Sequence, residues 1–187
     1  MKFVPNILNA VKNVVQSFID EEPKSPLHIG EAMTCWLYLA LCGETSVQTE
    51  AGINSTTDPE LRKALHEAVE MFNSQKEKLQ VFMLQEGVSL PPLSEPKPIS
   101  DPNRVPLGVK LTDNELANSL KKKISMAITN CANASAQTIR NDVGLIWAEY
   151  LQELITFLIT FKTLMRKRGW LNVPPYYYPP GSPNIGR

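Results

Sequence analysis

The sequence predicts an all-α protein: a four-helix bundle with one long crossover between its second and third helices, preceded by a short N-terminal helix. Three observations predict it. Apolar residues recur at three- and four-residue spacing in four long stretches. Those stretches are bounded by helix start and stop residues. A proline-rich segment from Gly87 to Thr112, GVSLPPLSEPKPISDPNRVPLGVKLT, divides them into two pairs. It holds too many prolines for a helix and lacks the alternation of a strand.

The length of that segment selects the topology. A helix of about 28 residues is about 42 Å long at 1.5 Å per residue. An extended proline-rich segment of about 25 residues spans up to roughly 75 Å. The connection can therefore return along the whole bundle, so that the third helix starts where the second started. One such crossover is the ferritin-like variant of the four-helix bundle. Two independent hairpins on a tether would instead leave broad apolar faces in water. We assign residues 1–22 to the N-terminal amphipathic helix, 23–171 to the bundle and 172–187 to an extended Pro/Tyr tail.

Each element has its own signals. Val4, Ile7, Val11, Val14 and Phe18 recur at helical spacing, while Asn6, Asn9, Lys12 and Asn13 interrupt any signal-peptide core. Ser25-Pro26 reads as the cap and first position of the first bundle helix. Ile29, Met33, Trp36, Ala40, Gly43 and Val47 give it an apolar seam, and nearly every residue from Met33 to Cys42 is apolar. Asp58 caps the second helix, Pro59 opens it, and Gly87 ends it. Its inner stripe is Leu61, Leu65, Ala68, Phe72, Leu79 and Phe82.

Thr112 and Glu115 form a capping box for the third helix, with Leu111 and Leu116 as a hydrophobic staple. That helix continues through Leu120, Ile124, Ile128 and Cys131, and its second half is rich in small, weakly polar residues. A turn is expected over Asn141 to Gly144. The fourth helix then carries Ile146, Tyr150, Leu154, Phe157, Phe161 and Leu164, with Lys162, Arg166, Lys167 and Arg168 near its C-terminus and Gly169 as its stop.

Composition excludes several functions. Of 187 residues, 43% are hydrophobic and 20% charged, and nineteen basic residues balance nineteen acidic ones. With a pI near 6.7 the chain has no bulk charge for a nucleic-acid partner. No transmembrane segment is expected. Cys35, Cys42 and Cys131 form no CxxC pair, which fits buried thiols in a reducing, cytoplasmic compartment. Neither a glycine-rich phosphate loop nor a nucleophile elbow is present, and no catalytic residue is assigned.

The segments LHIGEAMTCWLYL, NSTTDPEL, EGVSLPP with EPKP, DPNRVPLGVKLTDNELANSL, TIRNDVGL and KRGWLNVPPYYYPPG occur in that order between residues 24 and 181. Together they resemble domain-of-unknown-function family 3231 of spore-forming bacteria. The resemblance implies a ferritin-like bundle, and some members carry the label "putative spore coat protein". Many members carry two such bundles where this chain has one.

A di-iron bundle needs one glutamate on each of two helices and a Glu-x-x-His on each of the others. His28 is preceded at that spacing by Ser25 and His66 by Lys63, so the usual di-iron motif is absent. The crossover topology nonetheless brings His28, Glu31, Arg140 and Asp142 to one end of the bundle. One reading is an ion-paired, capped bundle end, with Arg140 bridging Glu31 and Asp142 and His28 satisfied beside its cap. The other is a small metal or ligand site using His28, Glu31 and Asp142, with Arg140 as an anion clamp. No cofactor is expected, except a single metal ion on the second reading. The function expected is that of a structural or interaction protein, spore-coat associated by resemblance, that associates with itself or with another protein. A metal- or ligand-binding bundle is the alternative.

Overall fold

Four helices fill the computed structural model, which describes residues 24–180: α1 (Ile29–Ile53), α2 (Pro59–Gln85), α3 (Asp113–Gln137) and α4 (Asn141–Lys167). The predicted N-terminal helix, residues 1–22, lies outside the described residues. Residues 86–112 connect α2 to α3 with one short 3-10 turn, Pro102–Arg104. Residues 171–179 of the tail have no regular secondary structure, and Tyr176, Tyr177 and Tyr178 are exposed.

Contacts at both poles fix the topology. At one pole Glu31, in the first turn of α1, accepts hydrogen bonds from the backbone at Ile139 and Arg140, between α3 and α4. At the other, the Thr56 hydroxyl between α1 and α2 donates to Asp113 at the start of α3 (2.6 Å). Lys167 at the end of α4 reaches Glu60 at the start of α2 (2.9 Å). Helices α2 and α3 therefore point the same way, as the crossover length required. The crossover is laced to α1: the Lys97 amide donates to Glu50 (2.7 Å), and Asn54 bonds both the Pro98 carbonyl (2.8 Å) and the Ser100 amide (2.9 Å). Gly43 leaves room for Leu93 at this crossing, since a Cβ there would lie 2.8 Å from the leucine Cδ2.

The caps follow local chemistry. Asp58 accepts from the Leu61 amide, with Pro59 at the first position. Thr112 and Glu115 exchange the reciprocal bonds of a capping box. Gly87 and Gly169 adopt φ of 73° and 72°, a left-handed conformation that suits glycine at a helix end. The amides of Val88 and Trp170 then return to the carbonyls of Met83 and Met165, both at 2.8 Å.

Three expectations need correction. Helix α1 starts at Ile29 and not at Ser25-Pro26, because His28 is the cap. Its Nδ1 accepts from the Gly30 (3.0 Å) and Glu31 (3.3 Å) amides, and Glu31 reaches back to the His28 amide (3.1 Å). The seam of α1 lies on the other side of the helix. Cys35, Tyr38, Leu39 and Cys42 are buried, whereas Ile29, Met33 and Leu37 are exposed. A helix apolar nearly all round gives no periodic cue to its inner face. The turn expected at Asn141 to Gly144 is the first turn of α4; the connection is Thr138 to Arg140, held extended by Glu31.

An aromatic cluster joins α1 and α4 inside the bundle. Tyr38 of α1 stacks on Tyr150 of α4 at 5.8 Å, and Trp147 meets both rings edge-on at 5.3 and 6.1 Å. Such pairs add about 0.5–1.5 kcal/mol each beyond their buried area. Phe72 and Leu79 of α2, Ile124 of α3, and Leu154 and Phe161 further along α4 extend this core.

Candidate functional site

The polar pole is built from four helix ends. Glu31 is 3% exposed, and its two oxygens take three backbone amides: Ile139 (2.9 Å), Arg140 (3.0 Å) and His28 (3.1 Å). Burial alone would raise its pKa, but those three amides and the His28 ring outweigh it and hold the carboxyl below its ordinary value. The carboxylate thus ties the first turn of α1 to the α3–α4 connection.

Arg140, 3% exposed, carries the second half of the pole. Its guanidinium makes one two-pronged contact with Glu86 at the end of α2 (2.6 and 2.8 Å) and another with Asp142 (3.0 and 2.7 Å). It also donates to the Ser25 carbonyl (3.1 Å), and Lys24 adds a further contact to Asp142 (3.0 Å). Arg140 and then Lys24 hold Asp142 well below the ordinary carboxylate range. The expected bridge from Arg140 to the Glu31 side chain is not formed: Glu31 bonds the arginine backbone, and Glu86 takes the place foreseen for it. Sequence reasoning missed Glu86, which reads as one more solvated charge at a helix end.

All four predicted residues therefore meet at one pole, but in two groups. His28 pairs with Glu31, its Nε2 3.7 Å from the carboxylate, while Asp142 belongs to the arginine group. Because His28 Nδ1 accepts from two amides, the neutral ring carries its proton on Nε2. That nitrogen is buried and has no hydrogen-bond partner. Among the described residues, no group of three or more His, Cys, Asp or Glu side chains is placed to share a metal ion.

A second polar group sits at mid-bundle, where cofactor sites of bundles are built from facing helices. The Tyr38 hydroxyl donates to Gln75 Oε1 (2.7 Å), and Gln75 Nε2 donates to Glu153 (2.8 Å). The Tyr150 hydroxyl donates to the Gln75 carbonyl (3.0 Å), and Lys78 reaches Glu149 and Glu153. Gln75 is fully buried, and every polar atom of its side chain that is bonded faces another helix. The sequence carried a signal for it: Leu61, Leu65, Ala68, Phe72 and Leu79 leave a gap on the inner stripe that Gln75 fills. Burial pushes the thiols of Cys35 and Cys131 up to about 12 and about 11, so they stay protonated near neutrality. Tyr38, Gln75 and Tyr150 are buried and bonded to one another, while Lys78, Glu149 and Glu153 close the outer side at the surface, and no nucleophile in the group has a base to activate it.

Among the described residues α4 is long and apolar enough to cross a membrane by length and composition alone. The core helix of a bundle meets the same criterion, and Val143, Trp147, Tyr150, Leu154, Leu158, Phe161 and Met165 are buried here.

Comparison with known proteins agrees with this architecture. A crystal structure described as a putative spore coat protein from Bacillus halodurans C-125 is 26% identical, with a TM-score of 0.80, covering 82% of this chain and 97% of that one. A two-domain protein from Anabaena variabilis ATCC 29413 contains DJ-1/ThiJ/PfpI-like and ferritin-like domains. It matches at a TM-score of 0.60 and 13% identity over 95% of this chain and 53% of that one, and so supports the fold alone. "Uncharacterized protein YvdQ" of Bacillus subtilis (strain 168) is 25% identical over 152 residues, 81% of this chain and 89% of that protein. The model of the family described as protein of unknown function (DUF3231) matches residues 17–182, and the chain belongs to that family.

Proposed function

We propose that this chain is a non-catalytic structural protein of the spore surface that associates with a second copy of itself. The spore assignment draws on its likeness to the Bacillus halodurans structure. The self-association draws on one observation: a charge-free, partly apolar face spanning α1 and α3. Ile29, Met33 and Leu37 project from α1 at four-residue spacing, 90%, 56% and 51% exposed, beside exposed Met126 and Ile139. From Ile29 to Gly43 the one charged residue is the buried Glu31, and from Ile124 to Ile139 there is none.

Such a face suits a second copy. Two neutral faces meet with no like charges opposed, whereas a charged partner would find only amides and hydroxyls to pair with. The strip is roughly 22 Å long and two helices, roughly 20 Å, wide. That is about half of the ~800 Å² per partner of a stable interface. Association is therefore weak and concentration-dependent. Sedimentation equilibrium of the full chain is expected to show a reversible dimer. Met33→Glu with Leu37→Glu is expected to shift it to monomer without loss of helical circular dichroism. A strict monomer, or a dimer indifferent to both substitutions, overturns this reading. A monomer that melts lower with both substitutions assigns the face to residues 1–22 instead.

The polar pole suggests a second reading, a cation held by His28 and Glu31, with Asp142 committed to Arg140. The observation favouring it is the buried, unpartnered His28 Nε2 beside Glu31. It requires the imidazole to give up its cap, since Nδ1 already accepts two amides. Stoichiometric metal in protein purified without a tag decides for it.

A further inference from the structure

The groove between α1 and α3 opens, toward the pole opposite His28, into a cavity of about 240 Å³. Its walls are chiefly apolar, formed by Leu65, Leu116 and Leu120 with the bare backbone of Gly52. Gly52 lets the α1 backbone approach these leucines closely: a Cβ there would lie 3.2 Å from Leu116 Cδ2 and 3.6 Å from Leu65 Cδ1. One cationic side chain lines the cavity, that of Lys123. Lys123 is half-buried and makes no hydrogen bond or ion pair with the described residues. Desolvation alone holds its pKa below the ordinary lysine value. By contrast Lys24, Lys63, Lys78 and Lys167 each face a carboxylate.

An ammonium at the edge of an apolar cavity has two uses. Its stem can cover apolar surface while its head seeks water. Alternatively, the head can pair with an anion whose apolar body fills the space behind it. The second accounts for both halves of the arrangement, the apolar cavity and the cation with no partner among the described residues. A cavity of about 150 Å³ accommodates benzene, and drug-sized ligands need about 300 Å³ or more. The ligand is therefore small, roughly six to ten non-hydrogen atoms.

We propose that this cavity binds a small amphiphilic carboxylate, with its ring or short acyl chain against Leu65, Leu116 and Leu120 and its carboxylate on the Lys123 ammonium. This site is separate from the exposed face assigned to self-association and does not depend on it.

The test is amide NMR titration of the full chain with sodium octanoate and, in parallel, with octan-1-ol. Octanoate is expected to perturb Gly52, Ser119 and Lys123 saturably and to bind about tenfold tighter than the alcohol. Lys123→Met should abolish that preference, and the free variant should melt no lower than the parent, because a desolvated charge has been removed. Ser119→Leu, which fills the cavity and keeps the lysine, should abolish binding of both probes. The proposal is overturned if no saturable shift appears at these residues. Equal binding of both probes to the parent, or octanoate binding unchanged in Ser119→Leu, overturns it as well.

Discussion

Glu31 is a buried carboxylate whose partners are mostly backbone. Replacing it with alanine removes a charged acceptor from three amides at once, at a cost of about 3 kcal/mol, near the upper range for bonds to a charged group. Glu31→Gln should recover only part of this, since one of its two acceptor oxygens becomes a donor facing amides. The pH dependence has a definite sign. The folded-state pKa values of Glu31 and Asp142 lie below their ordinary values of 4.5 and 3.8. Their contribution is therefore complete above those values and lost as pH falls through the folded ones. Urea midpoints measured from pH 6 to pH 2 should fall, and the fall should be shallower in Glu31→Gln and in Asp142→Asn. Parallel profiles for parent and variants would contradict the depressed pKa values. Histidine, glutamate, arginine and aspartate could be placed together from the sequence because topology alone sends them to one pole. Their pairing could not be, because Glu86 lies 54 residues from Arg140 and reads as a surface charge.

Among the elements, α1 shows where periodicity fails and what replaces it. Its apolar residues occur on every side, so the inner face is selected by contacts with α2 and α4, Tyr38 to Gln75 and Tyr38 to Tyr150 above all. Capping chemistry was more legible: Asp58 with Pro59, Thr112 with Glu115, and the glycines at 87 and 169 mark true ends. His28 was not, because histidine is an uncommon cap and Ser25-Pro26 offers a more ordinary one. The crossover carries its own prediction. Its order rests on Glu50 and Asn54, whose bonds to Lys97 and Ser100 are exposed. Native-state hydrogen exchange should show measurable protection of those two amides. Asn54→Ala with Glu50→Ala should abolish it and leave the helices protected. Loss of helical protection in the double variant would mean that the crossover is an integral part of the core.

For the whole molecule, the crossover is long but is not what holds the two hairpins together. Arg140 to Glu86, Glu31 to the α3–α4 connection, Thr56 to Asp113 and the Tyr38–Gln75–Tyr150 core all join one hairpin to the other without using it. Ser94 to Ser100 is exposed throughout. A single cut by a protease within that stretch should therefore leave a nicked but native particle that elutes as one species on gel filtration. Two peptides expressed separately, split at the same place, should recover each other from solution and regain helical structure on mixing. If the halves part on cleavage, the polypeptide link is indispensable to the bundle; if they stay together, the protein is in effect a complex of two helical hairpins written on one strand of message.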